Sequence, residues 1–229
     1  MHLIVKQTML PILQKTKDGS HTLFVESMNE TYHSTHGAIQ EAKHVFLKNG
    51  IESIEKSNIS VLEIGFGTGL NALLTFQYAQ ENKKNIHYYT LETFPLDKEI
   101  TENLNYISEL EKKELKSTFE KLHHSNWEEN CTISDNFTLY KTNQKIQDYE
   151  TNQKFDVIYY DAFGPPTQPE MWTPEIFKKL YNLLNTNGFL VTYCAKGQVK
   201  RDLKSVGFEV ISLPGPPGKR EMTKAIKQM

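Results

Sequence analysis

The stretch Val61-Leu-Glu-Ile-Gly-Phe-Gly-Thr-Gly-Leu-Asn71 decides the fold. Val61, Leu62 and Ile64 read as a short, largely buried strand, and Leu70 to Tyr78 carries helical apolar spacing. Between them stand three glycines at every second position. Strand, glycine turn and helix, in that order, bring backbone close to a nucleotide-like ligand at the carboxyl end of a sheet. A dinucleotide fingerprint, G-x-G-x-x-G, needs its third glycine where this chain has Leu70. Gly65, Gly67 and Gly69 form G-x-G-x-G instead, with Glu63 just ahead of them.

Downstream, Ile86-His-Tyr-Tyr-Thr-Leu91 reads as the second parallel strand and ends at Glu92. A carboxylate there can accept both hydroxyls of a ribose. Residues 97–123 are charged and helical in pattern, Thr138-Leu-Tyr140 is a third strand, and Phe155-Asp-Val-Ile-Tyr-Tyr160 is the clearest strand after the first. That last strand runs into Asp161-Ala-Phe163-Gly-Pro-Pro-Thr-Gln-Pro169-Glu-Met-Trp172. An acid at the carboxyl end of a central strand, an aromatic two residues on, and prolines that fix φ make this a preorganised pocket wall. Asp161 acts there as a base or caps the loop; Trp172 covers a planar ring or packs in the core. Thr173-Pro174 starts a helix over Ile176–Leu184, ended by Asn187-Gly188. A fifth strand at Phe189–Tyr193, a helix at Val199–Val206 and an antiparallel pair, Phe208–Ile211 with Met222–Ile226, complete the chain.

Upstream, a turn at Lys17-Asp-Gly-Ser20 before Thr22-Leu-Phe-Val25 signals a hairpin, and Ala38–Lys48 has one apolar helical face. Between them lies the polar, aromatic loop Glu30–Gly37, which contains Tyr32. Net charge is −2 with 24% charged residues, so a polyanion would have to be met by a local basic patch. Lys196, Lys200, Arg201, Lys219 and Arg220 are the candidates, the alternative being ordinary solvated surface. Two widely spaced cysteines suggest neither a disulfide framework nor a zinc site, and no metal is expected. With no apolar run long enough for a membrane and no signal-peptide core at Met1–Lys6, the expectation is a cytoplasmic protein without membrane contact. Its oligomeric state is left open.

The glycine loop with Glu63 is similar to motif I of class I S-adenosylmethionine (SAM) methyltransferases. Asp161-Ala-Phe-Gly-Pro-x-x-x-Pro-Glu-Met-Trp172 resembles the signature D-[AG]-F-x-P-x-x-N-P-x-M-W of the tRNA wobble-uridine aminomethyl methyltransferases. That family comprises the stand-alone MnmD proteins and the N-terminal half of bifunctional MnmC. Phe66–Asn71, Leu91-Glu-Thr-Phe-Pro-Leu96, Thr192-Tyr-Cys-Ala-x-Gly197, Val199-Lys-Arg201 and Gly218-Lys-Arg-Glu-Met222 are similar to its other segments, in the same order. So are Tyr32-His-Ser-x-x-Gly37 and Glu41-x-x-x-Val-Phe-Leu47. The chain departs from the pattern at Gln168, where the family has Asn, at Glu30, where it often has Asp, and after the third strand, where Asn143-Gln144 stand in place of an acid.

The resemblance implies a doubly wound, mostly parallel α/β sheet of the class I methyltransferase (Rossmann-like) type. A C-terminal antiparallel strand pair and a small N-terminal β/α extension accompany it, with the extension at 1–50 and the methyltransferase domain at 51–229. It implies SAM held by Glu63, Gly65, Gly67, Gly69, Asn71 and Glu92, and Asp161 as the catalytic acid–base group. The tRNA substrate falls to Tyr32, Phe163, Trp172, Lys196, Lys219 and Arg220. The activity implied is methylation of the primary amine of 5-aminomethyl-2-thiouridine at the tRNA wobble position. Because the chain stops at Met229, the FAD-dependent oxidase half of the bifunctional enzyme is not expected, nor FAD. The nearest rival is a SAM-fold aminopropyltransferase of the spermidine synthase type. A binding module without catalysis would lack an acid after the fourth strand, and Asp161 is present.

Overall fold

The computed structural model describes residues 11–228, so the first ten residues of the expected extension lie outside the described residues. Strands β1 (Ile12–Lys15), β2 (His21–Val25) and β3 (Glu30–Thr31) form a small antiparallel sheet. Asp18 closes the β1–β2 turn by accepting from the Ser20 backbone N–H at 3.0 Å and the Thr16 hydroxyl at 2.7 Å, the local bonding that makes Asp a turn residue. Helix α1 (Ala38–Ala42) continues into a wider π turn, Lys43–Lys48. Val45 and Phe46 of that turn are buried, and the Phe46 ring lies 5.2 Å from Tyr159 of the central sheet. The hydrophobic core is therefore continuous across residue 50.

Strand β4 (Asn58–Ile64) is followed by α2 (Leu70–Asn82), β5 (Asn85–Leu91), α3 (Lys98–Glu102), α4 (Tyr106–Glu109) and α5 (Lys116–His124). Then come β6 (Asn130–Ser134), β7 (Phe137–Thr142), β8 (Phe155–Tyr160), α6 (Pro174–Leu183), β9 (Leu184–Thr192), α7 (Gly197–Ser205), β10 (Phe208–Pro214) and β11 (Glu221–Lys227). The eight-stranded sheet has the order β10-β11-β9-β8-β4-β5-β7-β6. Pairs β8–β9, β8–β4, β4–β5 and β5–β7 are parallel; β11–β9, β10–β11 and β6–β7 are antiparallel. The chain winds from β4 to β5 on one side and returns to β8 on the other, so the carboxyl ends of β4 and β8 flank the topological switch point, where such sheets hold ligands.

Every residue of β8 is buried, as a central parallel strand covered on both faces requires. Its one charge, Asp156, is compensated by Lys56, the Ser60 backbone N–H and the Asn185 amide, which ties β8 to β4 and β9 at the end away from the cleft.

The structure refines the sequence reading at two places and corrects it at a third. The charged stretch 97–123 is three short helices, interrupted at Glu111 with φ of 55°. The antiparallel edge strand β6 comes from a segment with no clear alternation. Asn187-Gly188 does not end the preceding helix: α6 stops at Leu183 and the pair lies inside β9. There the register shifts against Phe155–Val157, Asn187 has φ of 63°, and a Cβ on Gly188 would sit 3.0 Å from the Phe155 carbonyl oxygen. The Asn-Gly pair serves a bulge, the other structure its φ preference fits.

Candidate active site

A cleft of about 1890 Å³ opens over the carboxyl ends of β4, β5 and β8. Its floor is zipped by backbone bonds that extend the ladder past the strand ends. Gly65 N–H donates to Leu91 O at 2.9 Å, Asp161 N–H to Ile64 O at 3.0 Å, and Glu92 N–H to Thr142 O at 3.0 Å. The glycine loop and both strand-end acids are thus positioned by the rigid sheet.

Two glycines are needed for close approach. Gly65 has φ of 95°, and a Cβ there would lie 2.8 Å from the Asp161 carbonyl oxygen. Gly67 has φ of 48°, a Cβ there would lie 3.1 Å from the Tyr32 ring, and its N–H donates to Glu92 Oε2 at 2.9 Å. Glu92 also accepts the Phe94 N–H through Oε1 at 2.9 Å. Each oxygen keeps a lone pair for a ligand hydroxyl, since a carboxylate offers about four acceptor sites. Burial raises the pKa of Glu92, with these backbone bonds working against the rise.

Asp161 is half-buried on the opposite lip, and its Oδ2 accepts from Asn71 Nδ2 at 2.9 Å. Burial first, then the charge of Glu41, pushes its carboxyl up to about 7; the Asn71 bond and Lys219 oppose this. A group titrating near neutrality in a cleft has the character of a proton acceptor. Glu41 is itself nearly enclosed, accepting from the Ser34 N–H at 2.8 Å and from Lys219 Nζ at 2.6 Å. The Lys219 ammonium lies 3.9 Å from the Tyr193 ring centre, and Tyr193 donates its hydroxyl to Ala162 O at 2.9 Å.

The Pro-rich wall is held by its own hydrogen bonds. Gln168 Oε1 accepts the Phe163 N–H at 3.1 Å, Trp172 Nε1 donates to Phe163 O at 2.8 Å, and Thr167 donates to Glu30 at 3.3 Å. Phe163 and Tyr32 both line the cleft, edge to face at 5.2 Å.

Several expected site residues take other places. Trp172 is 5% exposed and packs edge-on against Tyr160, Phe177 and Tyr193, so its ring has no face free for a base. It holds the wall from behind. Trp172→Ala lowers the unfolding free energy by about 3–5 kcal/mol, read as a lower urea midpoint at unchanged slope. Glu63 is fully buried beneath the loop, bonded to Thr90, and does not reach the cleft. Gly69 caps α2 and packs against His123 of α5. Asn71 lines the cleft, but its amide N–H is committed to Asp161. Lys219 points inward to Glu41 and is not a free phosphate ligand. Lys200 is paired with Glu221 and Arg201 with Gln198, while Lys196 and Arg220 stay exposed on the rim.

The structure adds residues that pattern reading left out. Phe94, two residues past Glu92, is 71% exposed at the cleft edge, open to a flat ring. Its sequence signal is its place in Leu91–Leu96, an aromatic between Glu92 and Pro95. Glu41 stood in a segment similar to the family, its role open between function and exposure, and the tertiary contact with Lys219 brings it to the site.

A glycine loop against a strand-end acid at a switch point, with a second acid across the cleft, defines a nucleoside-binding α/β transferase. The chain belongs to the S-adenosyl-L-methionine-dependent methyltransferase family, whose model matches residues 102–228, Asp161 included. It is 30% identical over 226 residues to the bifunctional tRNA 5-methylaminomethyl-2-thiouridine biosynthesis protein MnmC of a Marinomonas species, covering 93% of this chain and 33% of that protein. With the protein of the same name from Leptospira interrogans it shares 32% over 209 residues, covering 86% and 32%. The chain thus spans about one third of the length of these relatives. The crystal structure of MnmC2 from Aquifex aeolicus matches 96% of this chain and 72% of its own at a TM-score of 0.76 and 25% identity. Spermidine synthase of Thermotoga maritima matches at a TM-score of 0.52 and 12% identity, over 94% and 71%, a likeness of fold alone.

Proposed function

We propose that the protein transfers a methyl group from SAM to the primary amine of 5-aminomethyl-2-thiouridine at the tRNA wobble position. The observation that carries the reading is Asp161: a carboxylate pushed up to about 7, held by Asn71 beside the glycine loop. The names of the MnmC relatives supply the substrate class.

The residues fit SAM. Gly65 and Gly67 leave space that any Cβ would fill, Glu92 keeps lone pairs for ribose hydroxyls, and Phe94 offers a face for adenine. SAM supplies an electrophilic methyl on a positively charged sulfonium. The inner cleft, with Glu30, Glu41 and Asp161 against Lys219, favours cations, both a sulfonium and an alkyl ammonium. Asp161 orients the ammonium and accepts its proton, leaving the nitrogen lone pair free for in-line attack. An amine with a lysine-like pKa of ≈ 10.4 is neutral to only about one part in 10³ at pH 7, so a positioned base has a large effect. Tyr32 and Phe163 are the aromatic faces available to an extruded base.

Lys196 and Arg220 on the rim are the proposed phosphate ligands. Reversing both charges raises KM for tRNA, and the slope of log K against log salt flattens by about 0.7–0.9 for each phosphate no longer neutralised. Wild-type binding that does not change between low and physiological salt contradicts this. The direct test is mass spectrometry of wobble nucleosides after incubating enzyme, SAM and tRNA lacking the methyl group. Putrescine, supplied with decarboxylated SAM in parallel, tests the aminopropyltransferase reading. Methylated wobble nucleoside with no aminopropyl product supports the proposal; the reverse pattern overturns it.

A further inference from the structure

Behind the glycine loop lies a fully buried lysine to which the methyl transfer gives no task. Lys141 of β7 is 0% exposed. Its ammonium donates to the Leu122 carbonyl oxygen at 2.9 Å and to the His123 carbonyl oxygen at 2.8 Å, both in the last turn of α5. A cation suits that end of a helix, where unpaired carbonyls form the negative pole. The rest of its surroundings are aromatic: the ammonium lies 4.7 Å from the Trp127 ring centre and 5.6 Å from that of Phe66. None of the ion pairs among the described residues includes it. An apolar side chain would fill the same space without the cost of desolvating a charge, which points to a use for the charge itself.

The contacts around Lys141 lead to the glycine loop. Phe66, between Gly65 and Gly67, is 5% exposed, with its ring 5.3 Å from the His123 imidazole. His123 Nε2 lies 3.1 Å from the Thr68 carbonyl oxygen, and since a carbonyl only accepts, the imidazole carries its proton on Nε2. Burial pushes His123 down to about 4, so the ring stays neutral at working pH and donates there throughout. Lys141 thus holds the main chain of His123, His123 holds Thr68, and the Phe66 ring fills the space between them. The next residue of β7, Thr142, accepts the Glu92 N–H at 3.0 Å, so one strand end supports both halves of the cofactor site.

We infer that Lys141 is a positioning residue for SAM binding: its ammonium clamps the end of α5 and so holds His123 and Phe66 against the glycine loop. Gly65, Gly67 and Gly69 have φ of 95°, 48° and 71°, and glycines lose the most conformational freedom when fixed. A loop that is held before the ligand arrives spares that loss at binding. The titratable groups facing Lys141 are His123 and, beyond it, His124 of α5, and Cys131 of β6. Burial pushes Lys141 down to about 8, with Cys131 working against this. As pH rises through that value the free enzyme loses the proton and the clamp with it. SAM affinity is therefore full below about pH 8 and falls above it.

The inference rests on the glycine loop holding SAM, which Gly67→Val tests separately. SAM is titrated by calorimetry, and turnover is measured at saturating SAM. Lys141→Met, near in length and uncharged, raises the SAM Kd roughly tenfold, the effect of losing a hydrogen bond from a charged donor. Its kcat stays within about twofold of wild type, because the groups at the methyl and the amine are untouched. His123→Phe keeps the ring, loses the donor to Thr68 and weakens SAM by a similar factor. The two changes together weaken it no more than the larger single effect, the mark of residues acting in one chain. From pH 7 to 9 the Kd rises more steeply in wild type than in Lys141→Met; the amino group of SAM titrates in the same range in both and cancels in the comparison. Should Lys141→Met not fold, Lys141→Gln, which keeps a donor for one carbonyl but no charge, takes its place in every arm. Wild-type SAM affinity in the folded variant, a loss confined to kcat, effects of the two changes that multiply, or the same pH dependence in both proteins overturns the inference. Normal SAM binding by Gly67→Val overturns the loop assignment itself.

Discussion

Asp161→Asn lowers kcat by about 10²–10⁴ at neutral pH while SAM affinity changes little. Asn keeps the size of the side chain and a hydrogen-bonding oxygen for Asn71, so the cleft wall stays in place. What goes is the charge that holds the ammonium and the site that takes its proton. In the wild type, Asp161 with its pKa up near 7 becomes competent as it ionises, so kcat/KM rises with pH through that region. The sign follows from the role: a base acts when deprotonated. A bound sulfonium and ammonium favour the ionised form, so the limb in the ternary complex falls below that of the open cleft. In the variant this limb disappears, and the deficit narrows at high pH as solvent supplies free amine. Single-turnover rates on unmethylated tRNA from pH 6 to 9, with SAM titrated by calorimetry, read both quantities. Wild-type turnover by Asp161→Asn at pH 7 removes Asp161 from the chemistry.

Gly67→Val abolishes measurable SAM binding, a loss of at least about a hundredfold in affinity. Two costs add. A β-branched residue at a φ of 48° is an outlier of the backbone map, costing on the order of 1–3 kcal/mol. Its Cβ also arrives 3.1 Å from the Tyr32 ring, and its two methyl groups push that ring toward Phe163 and away from the loop. The Gly67 N–H that holds Glu92 moves with the strained turn, so Glu92 loses its support as well. Circular dichroism unchanged from wild type separates lost binding from lost fold. Unaltered SAM affinity in a folded Gly67→Val protein contradicts the assignment of this loop.

Much of the architecture was legible because its elements are strongly patterned. The apolar runs at Val61–Ile64 and Phe155–Tyr160, each with a single acid, have no other stable place than the middle of a covered parallel sheet. The glycine spacing after the first run identified the turn and the kind of ligand. Edges were harder: β6 is half solvated and interrupted by a register shift, so neither alternation nor apolar run announces it. Asn187-Gly188 shows the limit of turn signals, since a left-handed residue suits a helix end and a strand bulge equally.

The site divides in the same way. Sequence alone determined which strand ends carry the acids, Glu92 and Asp161, because strand pattern and position relative to the glycine loop are local properties of the chain. Only the tertiary structure decided which way the surrounding side chains face. Trp172 lies on the same loop as Phe163, yet one ring packs inward on Tyr160 and Phe177 while the other meets Tyr32 in the cleft. Glu63 precedes the glycines in sequence but points to the dry side of the sheet, toward Thr90. Lys219 and Glu41, 178 residues apart, become an ion pair with Glu41 buried only when the C-terminal loop folds over α1. The physical reason is that a motif specifies backbone geometry over a few residues, whereas burial and charge pairing are settled by neighbours that only the complete fold brings together.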